Sequence, residues 1–486
     1  MPSERTHCCF VRKTEQIMKK AICGKGEKIR MKEHDLKGKR VLVFGAGKSG
    51  TAACRLLHKI GAAPYLYDQK TEQDKEQILK AIGSETEIVL GELSEARINV
   101  TDLVVMSPGV PCDIPVVKRF YEAGIPVWSE IELAYRVGSG KVLAITGTNG
   151  KTTTTTLLGK IMADYYPEVS VVGNIGDPYT DAVTDLGDQA WTVAEISSFQ
   201  LETIDTFHPA GSCITNITED HLNRHHTMEE YIRVKERITE NQTRDDLCVL
   251  NYEDPVLREF GEKLSCGVLY FSSQRVLERG IFLKNDTIWL RDDSREIEVI
   301  RTDELQLLGA HNYENYMCAI ALADFAGVPM EQIRTSCADF KGVAHRIEFV
   351  GEKRGVRYYN DSKGTNPDAA IKAIQAMNRP TLLIGGGYDK ESVYDEWIRS
   401  FEGKVRYLVL IGQTREKIAE TAKVCGFPEE NILLRENLEE AVQTCAALAR
   451  EGDAVLLSPA CASWGQFRNY EERGDLFRAF AERLPD

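Results

Sequence analysis

The sequence lacks the features that mark several large classes of protein. None of its 13 cysteines belongs to a C-x-x-C pair, and their scattered spacing argues against a zinc site or a disulfide framework. No apolar run approaches the roughly 20 residues that cross a bilayer, and no apolar segment follows the N-terminus. We therefore expect a cytoplasmic protein with reduced thiols, without membrane insertion or a secretory signal.

An excess of positive charge is also absent. The chain carries 60 Lys and Arg against 74 Asp and Glu, a formal net charge of −14, which disfavours nucleic acid as a partner. Any anionic ligand must therefore be held by local lysines and backbone N–H groups. Residues 1–40 are the exception, with twelve Lys and Arg against five Asp and Glu. We expect residues 1–36 to be a disordered extension that the function does not need.

At 486 residues the chain is too long for one core of ordinary size. Short apolar, β-rich runs alternate with helical patterns, which predicts an α/β fold in three domains, with boundaries near residues 130 and 343. Strands are predicted at residues 41–44, 64–68, 141–146, 169–173, 191–196, 211–217, 247–251, 357–361, 381–386, 406–412 and 454–459, and residues 102–111 are predicted as a strand that ends in a turn. A helix is predicted over 228–242, and an antiparallel ribbon over 280–300 with its turn at Asn285-Asp286.

The stretch GTNGKT, residues 147–152, lies between an apolar strand pattern and a helical pattern. It departs from G-x-x-x-x-G-K-[ST], because Ile145 stands five places before Gly150. A glycine turn at this place still points backbone N–H groups at one spot, where the helix dipole adds partial positive charge. Lys151 would add a full charge for the outer phosphates of a nucleotide, and Thr152 a hydroxyl within reach of Mg²⁺. The alternative is a plain strand–helix turn.

Two residues after neighbouring predicted strands could complete a magnesium site. Glu195 ends the strand WTVAE and His221 follows the strand CITNI, so both can converge on the carboxyl edge of the sheet. Each alone is equally compatible with an ordinary strand-end acid or a surface or core histidine. Lys235 is most simply an exposed helix lysine, since a bare ammonium would be repelled by a nearby Mg²⁺.

Ligand sites are also indicated in the outer domains. Gly45, Gly47 and Gly50 form G-x-G-x-x-G after a strand, with Asp68 eighteen residues further on, which fits a dinucleotide fingerprint or a related fold with another ligand. In the third domain, polar loops at 360–370, 385–390 and 458–470 all follow predicted strands. Ordinary turn chemistry accounts for any one of them, but three loops on one sheet edge describe a ligand cleft.

Seven motifs occur in the order found in the Mur ligases. They are GTNGKT (147–152), EISSFQLE (195–202), NITEDHLNRH (216–225), GAHNYENYMCAIALA (309–323), HRIE (345–348), NDSKGTN (360–366) and SPACASWGQF (458–467). On these motifs the chain resembles that family from about residue 37 to its end, and is most similar to the members that add D-glutamate. In this family G-x-x-G-K-[ST] is the usual form of the phosphate loop.

The resemblance implies three domains with separate tasks. Residues 37–129 would be a Rossmann-like domain for a UDP-sugar, residues 130–343 a P-loop ATPase-like, mostly parallel domain that binds ATP, and residues 344–486 a Rossmann-like domain that binds an amino acid and ATP. The implied activity is amide ligation in cytoplasmic peptidoglycan precursor synthesis. ATP would convert the alanyl carboxylate of UDP-N-acetylmuramoyl-L-alanine to an acyl phosphate, which the amine of D-glutamate attacks through a tetrahedral intermediate. A monomer is expected.

The resemblance also implies roles for individual residues. Lys151 would stabilise charge on the transferred phosphate, Thr152 and Glu195 would hold one Mg²⁺, and His221 and a carbamylated Lys235 a second. The implied nucleotide-binding residues are Gly147, Thr148, Asn149, Gly150, Lys151, Thr152, Thr153, Asn312, Asn315, Arg346 and Asp361. Those implied for the UDP-sugar are Ser49, Asp68, Gly109, Asn174, Ser197 and Gln200. Those implied for the amino acid are Lys363, Thr365, Lys390, Ser463 and Tyr470. Trp464 and Tyr470 stand where Leu and Phe are common, which leaves the shape of that pocket open.

Other activities remain open on the sequence. A sister ligase that adds a diamino acid or lysine would be expected to carry a D-N-P-R-like signature, which this chain lacks. Folylpolyglutamate synthase is opposed by SSFQLE and SPACAS. An NAD-dependent oxidoreductase would use residues 45–50 and Asp68 but leaves GTNGKT, Glu195 and His221 unexplained. A P-loop regulator or motor would hydrolyse ATP without either of the other substrates.

Overall fold

The computed structural model describes residues 33–307, 309–390 and 392–485, which form three α/β units, each built on its own sheet. The predicted extension over residues 1–36 lies outside the described residues, apart from a 3-10 turn at Glu33–Leu36. Within the described ranges, no helix combines the length and apolar character needed to cross a membrane.

The N-terminal unit has a parallel five-stranded sheet in the order β3-β2-β1-β4-β5. Its strands are β1 (Arg40–Phe44), β2 (Ala63–Asp68), β3 (Glu87–Leu90), β4 (Leu103–Met106) and β5 (Val127–Ser129). Its helices are Lys48–Lys59, Lys75–Ile82, Glu95–Ile98 and Pro115–Glu122. The direction of winding reverses between β1 and β4, which opens a crevice at their carboxyl ends.

The central unit has nine strands in the order β14-β13-β12-β11-β10-β9-β6-β8-β7. They are β6 (Lys141–Thr146), β7 (Val169–Gly173), β8 (Trp191–Glu195), β9 (Gly211–Ile214), β10 (Leu247–Asn251), β11 (Gly267–Ser272), β12 (Gly280–Lys284), β13 (Thr287–Arg291) and β14 (Glu296–Arg301). The helices are Glu130–Val137, Lys151–Ala163, Tyr179–Ala182, Ser198–Leu201, Leu222–His225, Met228–Glu236, Pro255–Gly261, Ala310–Phe325 and Met330–Ala338. The sheet is parallel from β7 to β12, whereas β12, β13 and β14 pair antiparallel.

In the C-terminal unit the described residues form six strands in the order β15-β16-β20-β17-β18-β19; among them the β15–β16 pair is antiparallel and the other pairs are parallel. They are β15 (Glu348–Lys353), β16 (Val356–Asn360), β17 (Thr381–Gly385), β18 (Val405–Leu410), β19 (Ile432–Leu434) and β20 (Ala454–Leu457). The helices are Pro367–Ala376, Asp395–Arg399, Arg415–Val424, Leu438–Leu448 and Tyr470–Glu482. Loops 360–370, 458–470 and 385–390 follow the adjacent strands β16, β20 and β17, so they share one carboxyl edge.

The N-terminal and central units share a hydrophobic core, and the described residues of the C-terminal unit do not take part in it. One continuous cluster joins Val41 and Leu57 of the N-terminal unit to Val142 and Tyr231 of the central unit. Both faces of the C-terminal sheet are instead covered by clusters drawn from its own residues. The chain enters the C-terminal unit through a short bridge between Val343 and Arg346.

Two predicted boundaries are wrong. The strand predicted over 211–217 ends at Ile214, because Thr215 and Asn216 leave the sheet and bond to the turn after β6. The helix predicted over 228–242 ends at Glu236 and continues as a 3-10 turn, Arg237–Thr239. The predicted ribbon turn is present: Asn285 and Asp286 both have left-handed φ, 49° and 55°, as a two-residue hairpin of this kind requires.

Candidate active site

The GTNGKT turn (Gly147–Thr152) connects β6 to the helix Lys151–Ala163. Gly147 and Gly150 have φ of 139° and 86°, and a Cβ on Gly150 would overlap the Asn315 amide, so the turn needs glycine at both places. No side chain of a described residue caps the following helix, which leaves its first N–H groups directed at the space in front of the turn. That arrangement suits an anion.

The two residues that follow β9, Thr215 and Asn216, hold this turn by hydrogen bonds. The Asn216 carbonyl accepts a hydrogen bond from Thr148 N at 2.8 Å, and Asn216 Oδ1 accepts one from Asn149 N at 2.9 Å. Thr215 Oγ1 donates to the Asn149 carbonyl at 2.6 Å. The conformation of the turn is therefore set by the neighbouring strand as well as by its own glycines.

Two lysines meet on a single carbonyl oxygen. Lys151 Nζ donates to Gly147 O at 2.9 Å, and Lys235 Nζ donates to the same oxygen at 2.8 Å. Lys235 is only 1% exposed, so its interpretation as an exposed helix lysine is wrong. Burial lowers the pKa of both lysines, and that of Lys235 falls to about 7, with the charge of Lys151 as the second cause. Near neutral pH Lys235 can therefore lose its proton and act as a nucleophile.

Glu195 ends β8, the strand beside β6. It is 1% exposed, and Asn174 Nδ2 donates to its Oε1 at 2.8 Å. Its Oε2 is buried and accepts no hydrogen bond from any described residue. A buried carboxylate oxygen without a donor is costly unless a cation compensates it.

His221 stands half-exposed beyond β9. Its φ is 53°, its Nε2 lies 3.5 Å from Asp220 Oδ2, and its ring centroid lies 4.9 Å from that of Phe199. The described residues contain no group of three or more His, Cys, Asp or Glu placed to hold a metal. A cation near Glu195 and His221 would therefore depend on other donors, such as the hydroxyl of Thr152.

The helix Ala310–Phe325 covers the GTNGKT turn with two buried asparagines. Asn315 Oδ1 accepts from Thr154 Oγ1 at 3.2 Å, and Asn315 Nδ2 donates to Asn312 Oδ1 at 3.2 Å. Thr153 is buried in the first turn of the helix Lys151–Ala163. Asn315 packs directly against Gly150 of the GTNGKT turn.

Arg346 and Lys363 of the C-terminal unit are within electrostatic reach of the site around the GTNGKT turn. Burial lowers the pKa of Lys151 and of Lys363, the charge of Arg346 lowers both further, and the charge of Glu195 opposes the shift at both lysines. Asp361 is buried, accepts from Ser458 Oγ at 2.7 Å, and has its pKa raised by burial to about 7. A charge of the C-terminal unit therefore acts on the lysine of the GTNGKT turn, and a charge of the central unit acts on a lysine of the C-terminal loops.

The remaining residues predicted for an amino acid lie on the three C-terminal loops. Thr365 N donates to the Lys363 carbonyl at 2.8 Å, and Lys363 Nζ lies 5.7 Å from the centre of the Tyr470 ring. Ser463 is buried, and Lys390 Nζ lies 4.8 Å from the centre of the Trp464 ring.

The residues predicted for a UDP-sugar lie in the N-terminal unit near the ends of β1, β2 and β4, and in the central unit after β7 (Asn174) and β8 (Ser197 and Gln200). Ser49 is in the first turn of the helix after β1, and Gly109 is exposed in the loop after β4. The Asp68 carboxylate accepts hydrogen bonds from the backbone N–H groups of Ala46 and Lys70, both at 2.9 Å. Ser197 and Gln200 form a capping box, in which Gln200 Oε1 accepts from Ser197 N at 2.8 Å and from Ser197 Oγ at 2.9 Å.

Two buried residues that no motif indicated support these groups. Glu130 Oε1 accepts from Gln200 Nε2 at 2.7 Å, which fixes the orientation of that amide. Arg473 has no exposed surface and donates to Ser362 Oγ and O and to Cys461 O, at 2.8 to 3.1 Å. It thereby joins loops 360–370 and 458–470. A lone acid or arginine inside a helical pattern carries no signal that separates it from a surface residue.

Family models match most of the chain. Residues 39–129 match "Mur ligase MurD-like, N-terminal domain", residues 145–323 match "Mur ligase middle domain", and residues 345–461 match "Mur ligase, glutamate ligase domain". The chain belongs to the Mur ligase family. The family and the fold class expected from the sequence are both confirmed.

Close relatives of this Mur ligase carry one name, UDP-N-acetylmuramoylalanine--D-glutamate ligase. The protein of that name from Lachnoclostridium phytofermentans is 56% identical over 451 residues, which are 92% of this chain and 99% of the relative. The one from Lachnospira eligens is 52% identical over 93% of this chain and all of its own.

Solved structures of other Mur ligases share the fold. MurC from Thermotoga maritima superposes with a TM-score of 0.55 at 19% identity, covering 91% of this chain and 99% of its own. MurF from Acinetobacter baumannii gives a TM-score of 0.55 at 17% identity, covering 87% and 91%. At these identities the likeness concerns the fold of the Mur ligase alone.

Proposed function

We propose that this Mur ligase joins D-glutamate to UDP-N-acetylmuramoyl-L-alanine at the expense of ATP, releasing ADP and phosphate, in peptidoglycan precursor synthesis. Relatives named for this activity are 42% to 56% identical to it. The observation that carries the proposal is the pair of lysines at the GTNGKT turn. Lys151 and Lys235 both donate hydrogen bonds to the Gly147 carbonyl, at the N-terminus of a helix for which no described side chain provides a cap. The Glu195 carboxylate is close enough to affect the pKa of Lys151. Such a site suits a triphosphate and a second anion that receives its terminal group.

We assign the three substrates to three domains. Residues 37–129 bind the UDP-sugar, residues 130–343 bind ATP, and residues 344–486 bind the amino acid and part of the nucleotide. All the proposed site residues come from one chain, so we propose that the enzyme works as a monomer. We place it in the cytoplasm, where ATP is available.

The residues around the GTNGKT turn suit Mg²⁺ as well as phosphate. The partnerless Glu195 Oε2 is a hard oxygen donor of the type Mg²⁺ prefers, and Thr152 offers a second. His221 and Lys235 would hold a second ion. Bound Mg²⁺ would neutralise charge on the phosphate oxygens.

Lys235 suits this task only after a chemical change. In the neutral form, its Nζ lone pair can bond to the carbon of CO₂, and the proton lost from nitrogen passes to solvent. The product is a carbamate, which turns a +1 side chain into a −1 side chain. Burial and the adjacent Lys151 ammonium lower the pKa of Lys235 to about 7, which makes the neutral amine available, and the Lys151 ammonium would stabilise the negative charge of the product.

We propose the following sequence of steps. An oxygen of the alanyl carboxylate attacks the γ-phosphorus, and the bond to the bridging oxygen breaks, so ADP leaves with the electron pair. Lys151 and the helix N–H groups stabilise the charge that moves during this transfer. The neutral amine of D-glutamate then attacks the acyl carbon. The tetrahedral intermediate expels phosphate, and the amine proton passes to solvent.

The C-terminal loops supply the charges that this amino acid requires. Glutamate brings two carboxylates, and Lys363 and Lys390 are cations on different loops of one sheet edge. Thr365 and Ser463 add hydroxyl groups, and Tyr470 lies beside Lys363. Two cations separated in this way match a dicarboxylic amino acid better than lysine or a diamino acid.

The decisive experiment measures ADP release with substrates omitted one at a time. We expect release only when UDP-N-acetylmuramoyl-L-alanine and D-glutamate are both present. ATP hydrolysis without either substrate would instead indicate a P-loop regulator or motor. Binding of NAD without ATP turnover would favour an oxidoreductase.

A panel of amino acids tests the choice of substrate. D-glutamate, L-glutamate, L-lysine and meso-diaminopimelate are offered with ATP and UDP-N-acetylmuramoyl-L-alanine. We expect D-glutamate to be far the best. Preference for lysine or diaminopimelate would reassign the chain to a sister activity.

A further inference from the structure

Two exposed aromatic side chains form a wall beside the C-terminal loops. Trp464 is 54% exposed and Tyr388 40% exposed, although large aromatic residues usually lose most of their surface on folding. Their ring centroids are 5.7 Å apart at an interplanar angle of 65°, an edge-on contact. Tyr388 N donates to the Ala462 carbonyl at 2.9 Å, which ties loop 385–390 to loop 458–470. The wall therefore has a fixed base and an open face.

The ammonium of Lys390 rests against this wall. Its Nζ lies 4.8 Å from the centre of the Trp464 ring, within the range of a cation–π contact. Among the described residues, no carboxylate forms an ion pair with it. The nearby Lys417 differs, because both Asp389 oxygens hold its Nζ, at 3.1 and 3.2 Å. Lys390 is thus oriented by an aromatic ring while its charge stays available to a ligand.

We propose that Trp464 is a positioning residue for the amino-acid substrate: with Tyr388 it holds the Lys390 ammonium where it meets the side-chain carboxylate of the incoming glutamate. This inference rests on the proposed function. The charges of Glu195 and Arg346 both act on Lys363, which places it within electrostatic reach of the site where we propose that the amine attacks. Lys390 lies on another loop, against the exposed wall, and so suits the carboxylate that is remote from the amine.

The contact would act through orientation. A lysine side chain has many rotamers, and holding it in one of them before the ligand arrives lowers the entropy that binding must remove. A cation–π contact at an exposed site contributes a few-fold in binding. The effect should therefore fall on the binding of glutamate and leave the later chemical steps unchanged.

The test compares steady-state kinetics of Trp464→Leu, Trp464→Phe and wild type at saturating ATP and UDP-N-acetylmuramoyl-L-alanine. In Trp464→Leu we expect KM for D-glutamate to rise about two- to fivefold, with kcat within about twofold of wild type. The kcat/KM preference for D-glutamate over D-glutamine, which lacks the side-chain carboxylate, should fall by a similar factor. Trp464→Phe keeps an aromatic face and should restore most of the KM.

The chain offers a matched control in Lys284 and Trp289, a lysine–tryptophan contact of 5.1 Å on the β12–β13 hairpin. Trp289→Leu should leave KM for D-glutamate unchanged. If Trp464→Leu fails to fold, as judged by thermal melting, Tyr388→Leu tests the same wall and should raise the same KM.

An unchanged KM in a folded Trp464→Leu, or a loss of kcat at constant KM, would overturn the inference. Failure of Trp464→Phe to restore the KM would overturn it too. Absence of D-glutamate turnover in wild type would instead reject the proposed function, and the two failures are therefore distinguishable.

Discussion

Lys235 is the residue whose chemistry depends most on its surroundings. An exposed lysine on the same helix would stay protonated, but this one is buried beside a second ammonium on one carbonyl oxygen. We expect Lys235→Ala to lower kcat by about 100-fold or more, because an electrostatic partner of the transferred phosphate is lost. Formate or acetate should restore part of the activity by supplying a carboxylate in the vacated space. ADP release with and without these anions measures both effects.

Lys263→Ala is the control for this variant. Lys263 is an exposed lysine paired with Glu259 at 2.7 Å, and its loss should leave turnover unchanged with or without added anions. Wild-type activity in Lys235→Ala would contradict the carbamate proposal.

Glu130 makes stability depend on pH in a specific direction. Burial raises its pKa from 4.5 to about 7, so the folded protein holds a proton that the unfolded chain releases between these values. Its contribution to stability is therefore complete below about pH 4.5 and is lost as the pH rises through 7. Glu130→Gln keeps an acceptor for Gln200 and should remove this dependence.

We therefore expect the stability of wild type relative to Glu130→Gln to fall between pH 5 and pH 8, by on the order of 1–3 kcal/mol. Melting temperatures of both proteins across this range give the difference. Glu122→Gln, which removes an exposed carboxylate from the N-terminal unit, is the control and should show no such trend. Parallel pH profiles for wild type and Glu130→Gln would contradict the prediction.

At the scale of elements, the GTNGKT turn combines a left-handed backbone with a close neighbour. Gly150 has φ of 86°, and a Cβ there would overlap the Asn315 amide. Gly426 also has φ of 86°, but no atom of the described ranges lies within 4 Å of its Cβ position. Both Gly150→Ala and Gly426→Ala should lose about 1 kcal/mol of unfolding free energy to backbone strain. Gly150→Ala should lose more, because of the overlap with Asn315, and should also weaken ATP binding. Nucleotide titrations and melting curves of the two variants measure this difference, and equal stability and equal ATP affinity in both would contradict the overlap.

The elements predicted from the sequence are those with the clearest patterns. Buried parallel strands such as β6, β8 and β17 are continuous apolar runs, and all three were predicted. β5 has three residues and β3 is largely half-buried, so neither leaves a pattern of sufficient length. The strand predicted to reach residue 217 failed because hydrogen bonds to another loop, which are long-range, decide where β9 ends.

The residues of the candidate site also divide into those that a sequence pattern indicates and those that only long-range contacts place there. Motif residues such as Lys151, Glu195 and His221 could be named because spacing and strand ends place them on one sheet edge. Glu130 and Arg473 could not, since their roles come from contacts with Gln200, Ser362 and other side chains far along the chain. Burial of a charged residue depends on the tertiary packing of other segments, and a single sequence does not report it.

At the scale of the whole molecule, residues 1–30 precede every matched family domain, the first of which begins at residue 39. We expect their deletion to leave kcat and KM unchanged within about twofold, because none of the proposed site residues lies among them. Kinetics of the truncated and full-length proteins, prepared side by side, test this. A large loss of turnover would assign a role to the basic segment.

The way in which the three units share hydrophobic cores also determines how the protein unfolds. The N-terminal and central units share one apolar cluster, whereas the C-terminal unit has two of its own. Calorimetry should then record two melting events, one for residues 33–343 and one for residues 344–485. The second segment, produced from its own gene, should fold alone. The activity of a mixture of the two separate polypeptides, compared with that of the intact chain, would show how far catalysis depends on the high local concentration that the covalent link between the units provides.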